Sequence, residues 1–270
     1  MVKRMSSLRS SSGNSLRARY PHSYHQHRRD RVAGGDDYWI FGTHAALAAL
    51  SNPDRECSEI RVTHGFAKAN QNRRELEGAF IVDSEQLDNL LPVGSVHQGI
   101  AMRTRPLLSI SIKDFLNAIS PTARVCVSIL DQATDPRNIG AILRSAAAFG
   151  VKALIVQDRH TPRETGAMAK AASGALEQVP IIRVTNLART MGFLKANDFW
   201  CVGLDGNANK TFSEVNFSQR TALIFGSEGE GMRRLTQKNC DLRVKISVTS
   251  RVESLNLANA VGISFYEWAR

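Results

Sequence analysis

The chain has 270 residues, 43% of them hydrophobic, and a formal net charge of +10. That length can bury one large core or two smaller ones, and the basic balance points to an anionic partner, nucleic acid foremost. No apolar run reaches the roughly 18 residues of a membrane helix, and none forms a signal-peptide core. A protein without membrane segments is expected. The four cysteines (Cys57, Cys126, Cys201, Cys240) are far apart and the seven histidines lack metal-ligand spacing. Free thiols, a reducing cytoplasmic compartment and no metal are therefore expected.

Residues 1–37 carry Lys3, Arg4, Arg9, Arg17, Arg19, Arg28, Arg29 and Arg31 against Asp30, Asp36 and Asp37. With few apolar residues, this stretch reads as a disordered basic tail, either a phosphate-binding arm or a solvated end without a dedicated role. Thr43 is expected to cap an alanine-rich helix to Leu50. A strand near 59–63, a helix near 68–77, a strand at 79–82, a helix at 85–91 capped by Ser84, and a strand at 98–103 complete a small α/β unit, 38–104. Residues 105–122 read as a linker with one helical piece near 112–118.

From residue 123 to 270, short apolar strands alternate with helices. Strands are expected at 125–130, 153–157, 179–184, 199–204, 222–225 and 243–248, and helices near 137–149, 164–175, 187–197, 230–239 and 254–268. Runs apolar on both faces and separated by helices predict a mostly parallel sheet covered on both sides.

Three loops follow strands of this sheet, where open α/β sheets bind ligands. The first, Asp135-Pro-Arg-Asn-Ile-Gly-Ala-Ile-Leu-Arg-Ser145, opens a helix with a cap and a first-turn proline. Its repeat puts Asn138 and Ser145 on one face, with Arg144 about 120° round. The second, Gly226-Ser-Glu-Gly-Glu-Gly-Met232, allows close backbone approach to a ligand or a tight turn. Its glycine order and its place after the fifth strand disfavour a dinucleotide site. The third, Glu253-Ser-Leu-Asn-Leu-Ala-Asn259, opens the last helix, with Ser254 as a candidate cap.

Together these segments resemble the SpoU/TrmH branch of the SPOUT superfamily, S-adenosylmethionine-dependent RNA ribose 2′-O-methyltransferases. Phe41-Gly-Thr-His-Ala45, Val96-His-Gln-Gly-Ile-Ala101, Arg183-Val-Thr-Asn-Leu-Ala-Arg-Thr190 and Gly226–Thr236 are similar to the subgroup acting on a guanosine of bacterial 23S rRNA. The resemblance implies an α/β domain with a deep trefoil knot, preceded by a small α/β RNA-binding domain, and a homodimer with its site at the subunit interface. It implies that Asn138, Arg144, Glu228, Ser254 and Asn256 are the functional polar residues. Gly226, Ser227, Gly229, Ile246, Val248 and Leu255 would hold the cofactor, and His44, Gln98 and Arg137 would face RNA. The third motif departs from the family: Ile246-Ser-Val-Thr-Ser250 stands where Ile-Pro-Met and a later glycine are usual. Cofactor affinity is the property this departure bears on.

The arginine matching Arg144 is proposed in the family to deprotonate the ribose hydroxyl. Arginine resists deprotonation, so a bidentate phosphate clamp that stabilises the developing alkoxide is the preferred role. A tRNA 2′-O-methyltransferase, or a catalytically inactive RNA-binding assembly factor, would carry the same framework.

Overall fold

A computed structural model describes residues 37–249 and 254–270. The expected basic tail, save Asp37, and the Ser250 and Glu253 positions of the third motif lie outside these residues. Asp37 is tied down, pairing with Arg103 at 3.3 Å and Arg105 at 3.2 Å.

Strands β1 (Tyr38–Phe41), β2 (Cys57–Thr63), β3 (Phe80–Val82) and β4 (Ile100–Thr104) form a mixed sheet in the order β1-β4-β2-β3. Helices α1 (Thr43–Leu50), α2 (His64–Ala69) and α3 (Ser84–Leu90) accompany it. The local capping differs from expectation at two helices. Thr43 is the first residue of α1 rather than its cap, and its N–H donates to Gln98 Oε1 at 3.0 Å. Asp83, not Ser84, caps α3 through a reciprocal box with Gln86. The helix expected at 68–77 is instead α2 and a separate 3-10 turn, Arg74–Leu76, because the Asn70–Arg73 stretch turns between them.

The expected linker is packed. Its helix α4 (Ile112–Asn117) buries Phe115 completely against the larger sheet's core. That sheet holds β5 (Val125–Leu130), β6 (Ala153–Gln157), β7 (Ile181–Val184), β8 (Trp200–Leu204), β9 (Lys210–Thr211), β10 (Arg220–Phe225) and β11 (Leu242–Lys245). Every pairing in the order β7-β6-β5-β10-β8-β11-β9 is parallel. Parallel strands need coverage on both faces. Accordingly β5 alternates Cys126 and Leu130 into one cluster with Val125, Val127 and Ile129 into another.

Helices α5 (Pro136–Phe149), α6 (Gly166–Ala172) and α9 (Leu257–Ala269) lie in the first cluster, and α7 (Leu187–Lys195) in the second. The helix expected at 230–239 shrinks to α8 (Arg234–Lys238), since the glycine-rich chain before it is a turn. The two-residue β9 was not foreseen; it is too short to leave an apolar pattern. Strand order runs outward from β5 through β6 to β7, whereas β10, with β8 beyond it, flanks β5 on the other side. The β5 and β10 ends therefore border a topological switch point, where a crevice opens.

Candidate active site

Asp135 caps α5, its Oδ1 accepting the Arg137 N–H at 2.8 Å, and Pro136 fills a first-turn position where no N–H is needed. Ile139, Ile142, Leu143 and Ala146 are fully buried, and Gly150 ends the helix in the left-handed region. With that stripe fixed, Asn138 sits half-buried in the first turn.

The loop after β10 folds back on itself. Ser227 N–H donates to Gly231 O at 3.0 Å, and Gly231 N–H returns to Ser227 O at 3.1 Å. Gly226 lies so close to the Gly231–Met232 peptide that any Cβ would collide with it. The loop's exit is anchored at Asp131, whose side chain is fully buried at the end of β5. Asp131 accepts the Arg233 backbone N–H at 3.0 Å and Nε at 2.8 Å, while Arg233 Nη2 donates to Gln157 Oε1 at 2.7 Å. These three residues were not singled out from sequence. An acid immediately after a buried strand was the available signal, but its partner lies 102 residues away.

Asn256 caps α9, its Oδ1 accepting from the Ala258 and Asn259 N–H groups at 3.0 and 3.4 Å. Ser254, the expected cap, is exposed two residues earlier. The amide suits the cap because its other end is still free to donate. Asn256 Nδ2 reaches Glu228 Oε1 at 2.9 Å and Asn138 Oδ1 at 3.2 Å. Asn138 Nδ2 and the Leu257 N–H also donate to Glu228 Oε1, at 2.9 and 3.1 Å. One carboxylate oxygen thus gathers three donors from two other segments. The three loops converge.

The other expected site residues take no part in these bonds. Ser227 and Gly226 are half-buried, Gly229 is exposed, Ile246 and Leu255 are half-buried, and Val248 is exposed. Arg144 is exposed on α5 with no hydrogen bond or ion pair among the described residues. Ser145 does not join Asn138; it lies against Gly262 of α9. Arg137 is exposed in the first turn of α5. His44 and Gln98 are exposed on the small sheet's side, where Gln98 Oε1 also accepts Lys170 Nζ at 2.6 Å. Partial burial holds the Lys170 ammonium below the ordinary lysine range.

Residues 126–266 match the SpoU rRNA Methylase family, and residues 39–108 match the family described as RNA 2′-O ribose methyltransferase substrate binding. The chain belongs to the SpoU rRNA methylase family. Among its relatives is the 23S rRNA (guanosine-2′-O-)-methyltransferase RlmB of Escherichia coli K12, 38% identical over 240 residues, covering 86% of this chain and 97% of that protein. The RlmB of Salmonella typhimurium is 39% identical over the same shares. Among solved structures, the SpoU methyltransferase AviRb of Streptomyces viridochromogenes, in complex with the cofactor AdoMet, superposes with a TM-score of 0.72 at 22% identity. It covers 86% of this chain and 89% of that one. The AdoMet-bound rRNA methyltransferase of Sinorhizobium meliloti gives 0.70 at 20% identity, covering 86% of each. At these identities the SpoU neighbours establish the fold. Among the described residues no group of three or more His, Cys, Asp or Glu could hold a metal, and no helix is long and apolar enough to cross a membrane.

Proposed function

We propose that this SpoU protein transfers a methyl group from S-adenosylmethionine to the ribose 2′-hydroxyl of a guanosine in 23S rRNA. The observation that carries the reading is the convergence of Asn138, Glu228 and Asn256 at the switch point, in a chain that also matches the substrate-binding family over 39–108. RlmB relatives spanning nearly their whole length support the rRNA target.

The residues present fit the cofactor. Half-buried Ile246 and Leu255 and exposed Val248 offer apolar contact for an adenosyl group, and the Gly226–Gly231 turn brings bare backbone to the same end of the sheet. A single carboxylate among neutral amides suits a cationic ligand. When bound, S-adenosylmethionine supplies an electrophilic methyl on a positively charged sulfur.

The protein's own work is positioning, which can lower such a barrier by roughly 7–11 kcal/mol. Glu228, held by its three donors, fixes the loop after β10 against the N-terminus of α9. Asn138 and Asn256 present the remaining amide edges to the substrate's polar groups. Arg144, unpartnered among the described residues, grips a backbone phosphate in bidentate fashion and stabilises the alkoxide as it develops, the proton leaving to phosphate or water. His44, Gln98 and Arg137 face RNA, and Ser254 lies at the mouth of the site. The same reading has residues 38–104 as the RNA-binding domain, 105–122 as the connection and 123–270 as a methyltransferase domain knotted as a deep trefoil. It has two copies completing one another's sites and working in the cytoplasm.

Mapping 2′-O-methyl groups across total RNA, with and without the gene, tests this. Loss of one methylated 23S guanosine on deletion, restored by the purified protein with S-adenosylmethionine, is the expected result. Loss confined to tRNA overturns the substrate. An unchanged map, with no cofactor binding by calorimetry, overturns the activity.

A further inference from the structure

Arg55 lies in the loop between α1 and β2, yet its side chain is wholly shielded from solvent. Its guanidinium grips two carboxylates of the larger sheet's layer. Nη1 meets Glu164 Oε2 at 2.7 Å, while Nη2 and Nε meet the two oxygens of Glu177 at 2.6 and 3.2 Å. Groups beside the small sheet complete the cluster. Tyr38 OH donates to Glu164 Oε2 at 2.7 Å, Asn52 Nδ2 donates to Glu177 Oε2 at 2.6 Å, and Arg55 Nη1 also donates to the Arg105 carbonyl at 2.9 Å. The Leu107 N–H donates to Glu164 Oε1 at 3.1 Å, so the connector is fastened at the same point. Burial and Glu164 push the Tyr38 phenol far above its ordinary range, keeping it a donor.

Such a cluster specifies a register. Breaking a buried pair leaves an uncompensated charge, so any slide between the two sheets is opposed once the fork has closed. The wall it grips leads to the site. Glu164 precedes Thr165, the cap of α6, and Glu177 ends the 3-10 turn after that helix. Helix α6 in turn packs on α5 at Gly140, where a side chain would collide with the Met168 carbonyl. Gly140 is two residues from Asn138.

We propose that Arg55 is a positioning residue: by clamping Glu164 and Glu177 it fixes the span between the RNA-reading small sheet and the methyl-transfer loops, so that one nucleotide is presented. This rests on the RNA methylation proposed above. Misplacing a reacting group by about 1 Å can cost 10²-fold in rate, and a swinging small domain would misplace it by more.

The test is the full-length variant Arg55→Met/Glu164→Gln/Glu177→Gln, which removes the three charges together and strands none. It is compared with wild type by chymotryptic cleavage after Leu107 and Leu108, calorimetric titration with S-adenosylmethionine, kcat and KM on transcribed large-subunit rRNA, and mapping of methylated positions. Faster cleavage, unchanged cofactor affinity, a kcat/KM lowered by about 10- to 100-fold and methyl groups at additional nucleotides are expected. Arg55→Lys, retaining charge without the fork, falls between. Unchanged cleavage overturns the clamp; loosened domains with wild-type kcat/KM and a single methylated position overturn its role in presentation. Should the triple variant not fold, Tyr38→Phe/Asn52→Ala removes two hydrogen bonds from neutral donors to these carboxylates and must move cleavage and kcat/KM in the same directions, an unchanged result again refuting the proposal. A wild-type chain that methylates no rRNA defeats the activity, whereas the cleavage comparison still judges the clamp.

Discussion

Replacing Glu228 tests whether the three loops act as one unit. Its Oε1 accepts from Asn138 Nδ2, Asn256 Nδ2 and the Leu257 N–H. Hydrogen bonds to charged groups contribute about 1.5–3 kcal/mol each and neutral ones about 0.5–1.5. Glu228 is exposed, so water replaces part of each bond and about 0.7–1 kcal/mol is lost per bond. Glu228→Gln keeps an acceptor oxygen in place and loses the charge, for about 1–2 kcal/mol in total. Glu228→Ala removes every acceptor, freeing an N–H of α9's first turn, and costs about 2–3 kcal/mol. For a chain of this size that lowers Tm by about 4–10 °C. Scanning calorimetry on Glu228→Ala, Asn138→Ala, Asn256→Ala and the double variants reads the coupling directly. Interaction energies of about 1 kcal/mol are expected for each pair sharing Oε1. Losses that simply add, within about 0.5 kcal/mol, would refute the claim that one oxygen gathers the three segments.

Arg144→Lys is expected to lower kcat by about 10²–10³-fold, the range for removing one transition-state donor, with cofactor affinity unchanged by calorimetry. Near-full turnover would end the need for a planar fork. Asp131→Ala strands the Arg233 backbone N–H and guanidinium. It should cost about 2–3 kcal/mol in urea titrations, less than the roughly 3–5 of a fully buried pair because Arg233 reaches solvent. Gly226→Ala should abolish cofactor binding while leaving the small sheet intact by hydrogen exchange, since the added methyl meets the Gly231–Met232 peptide. Burial raises all four thiols: Cys201 and Cys240 to about 12 and Cys126 higher still, with Cys57 shifted less. Because the thiolate is the reactive form, a thiol reagent at pH 8 should titrate exposed Cys57 alone. Its rate should rise with pH, and all four cysteines should react after denaturation.

Much of the larger layer was legible because its signals are local. Asp135, Pro136 and Gly150 mark both ends of α5, and the apolar runs of β5, β6 and β10 announce buried parallel strands. The site's polar trio was readable for the same reason, each member lying just after a strand or at a helix start. What failed depended on distant partners. Whether Ser254 or Asn256 caps α9 is decided by Glu228, and the Thr43 N–H is satisfied by Gln98, 55 residues on. The Arg233–Asp131 anchor and the Arg55 cluster join segments more than 100 residues apart. No periodicity encodes such pairs. The family resemblance implied a role for Arg144 that spacing alone left open, and its exposed place on α5 has no physical signature.

The seating of α9 has a temporal consequence. Its first turn closes the polar trio, while Phe265 and Trp268 are buried farther along and Arg124, next to β5, stacks over the Trp268 ring and donates to its carbonyl. A nascent polypeptide halted before residue 256 therefore lacks two of the three donors to Glu228, however well its earlier strands have paired. On the proposed function, competence then comes late in synthesis, and truncated products without this helix are expected to leave RNA unmodified.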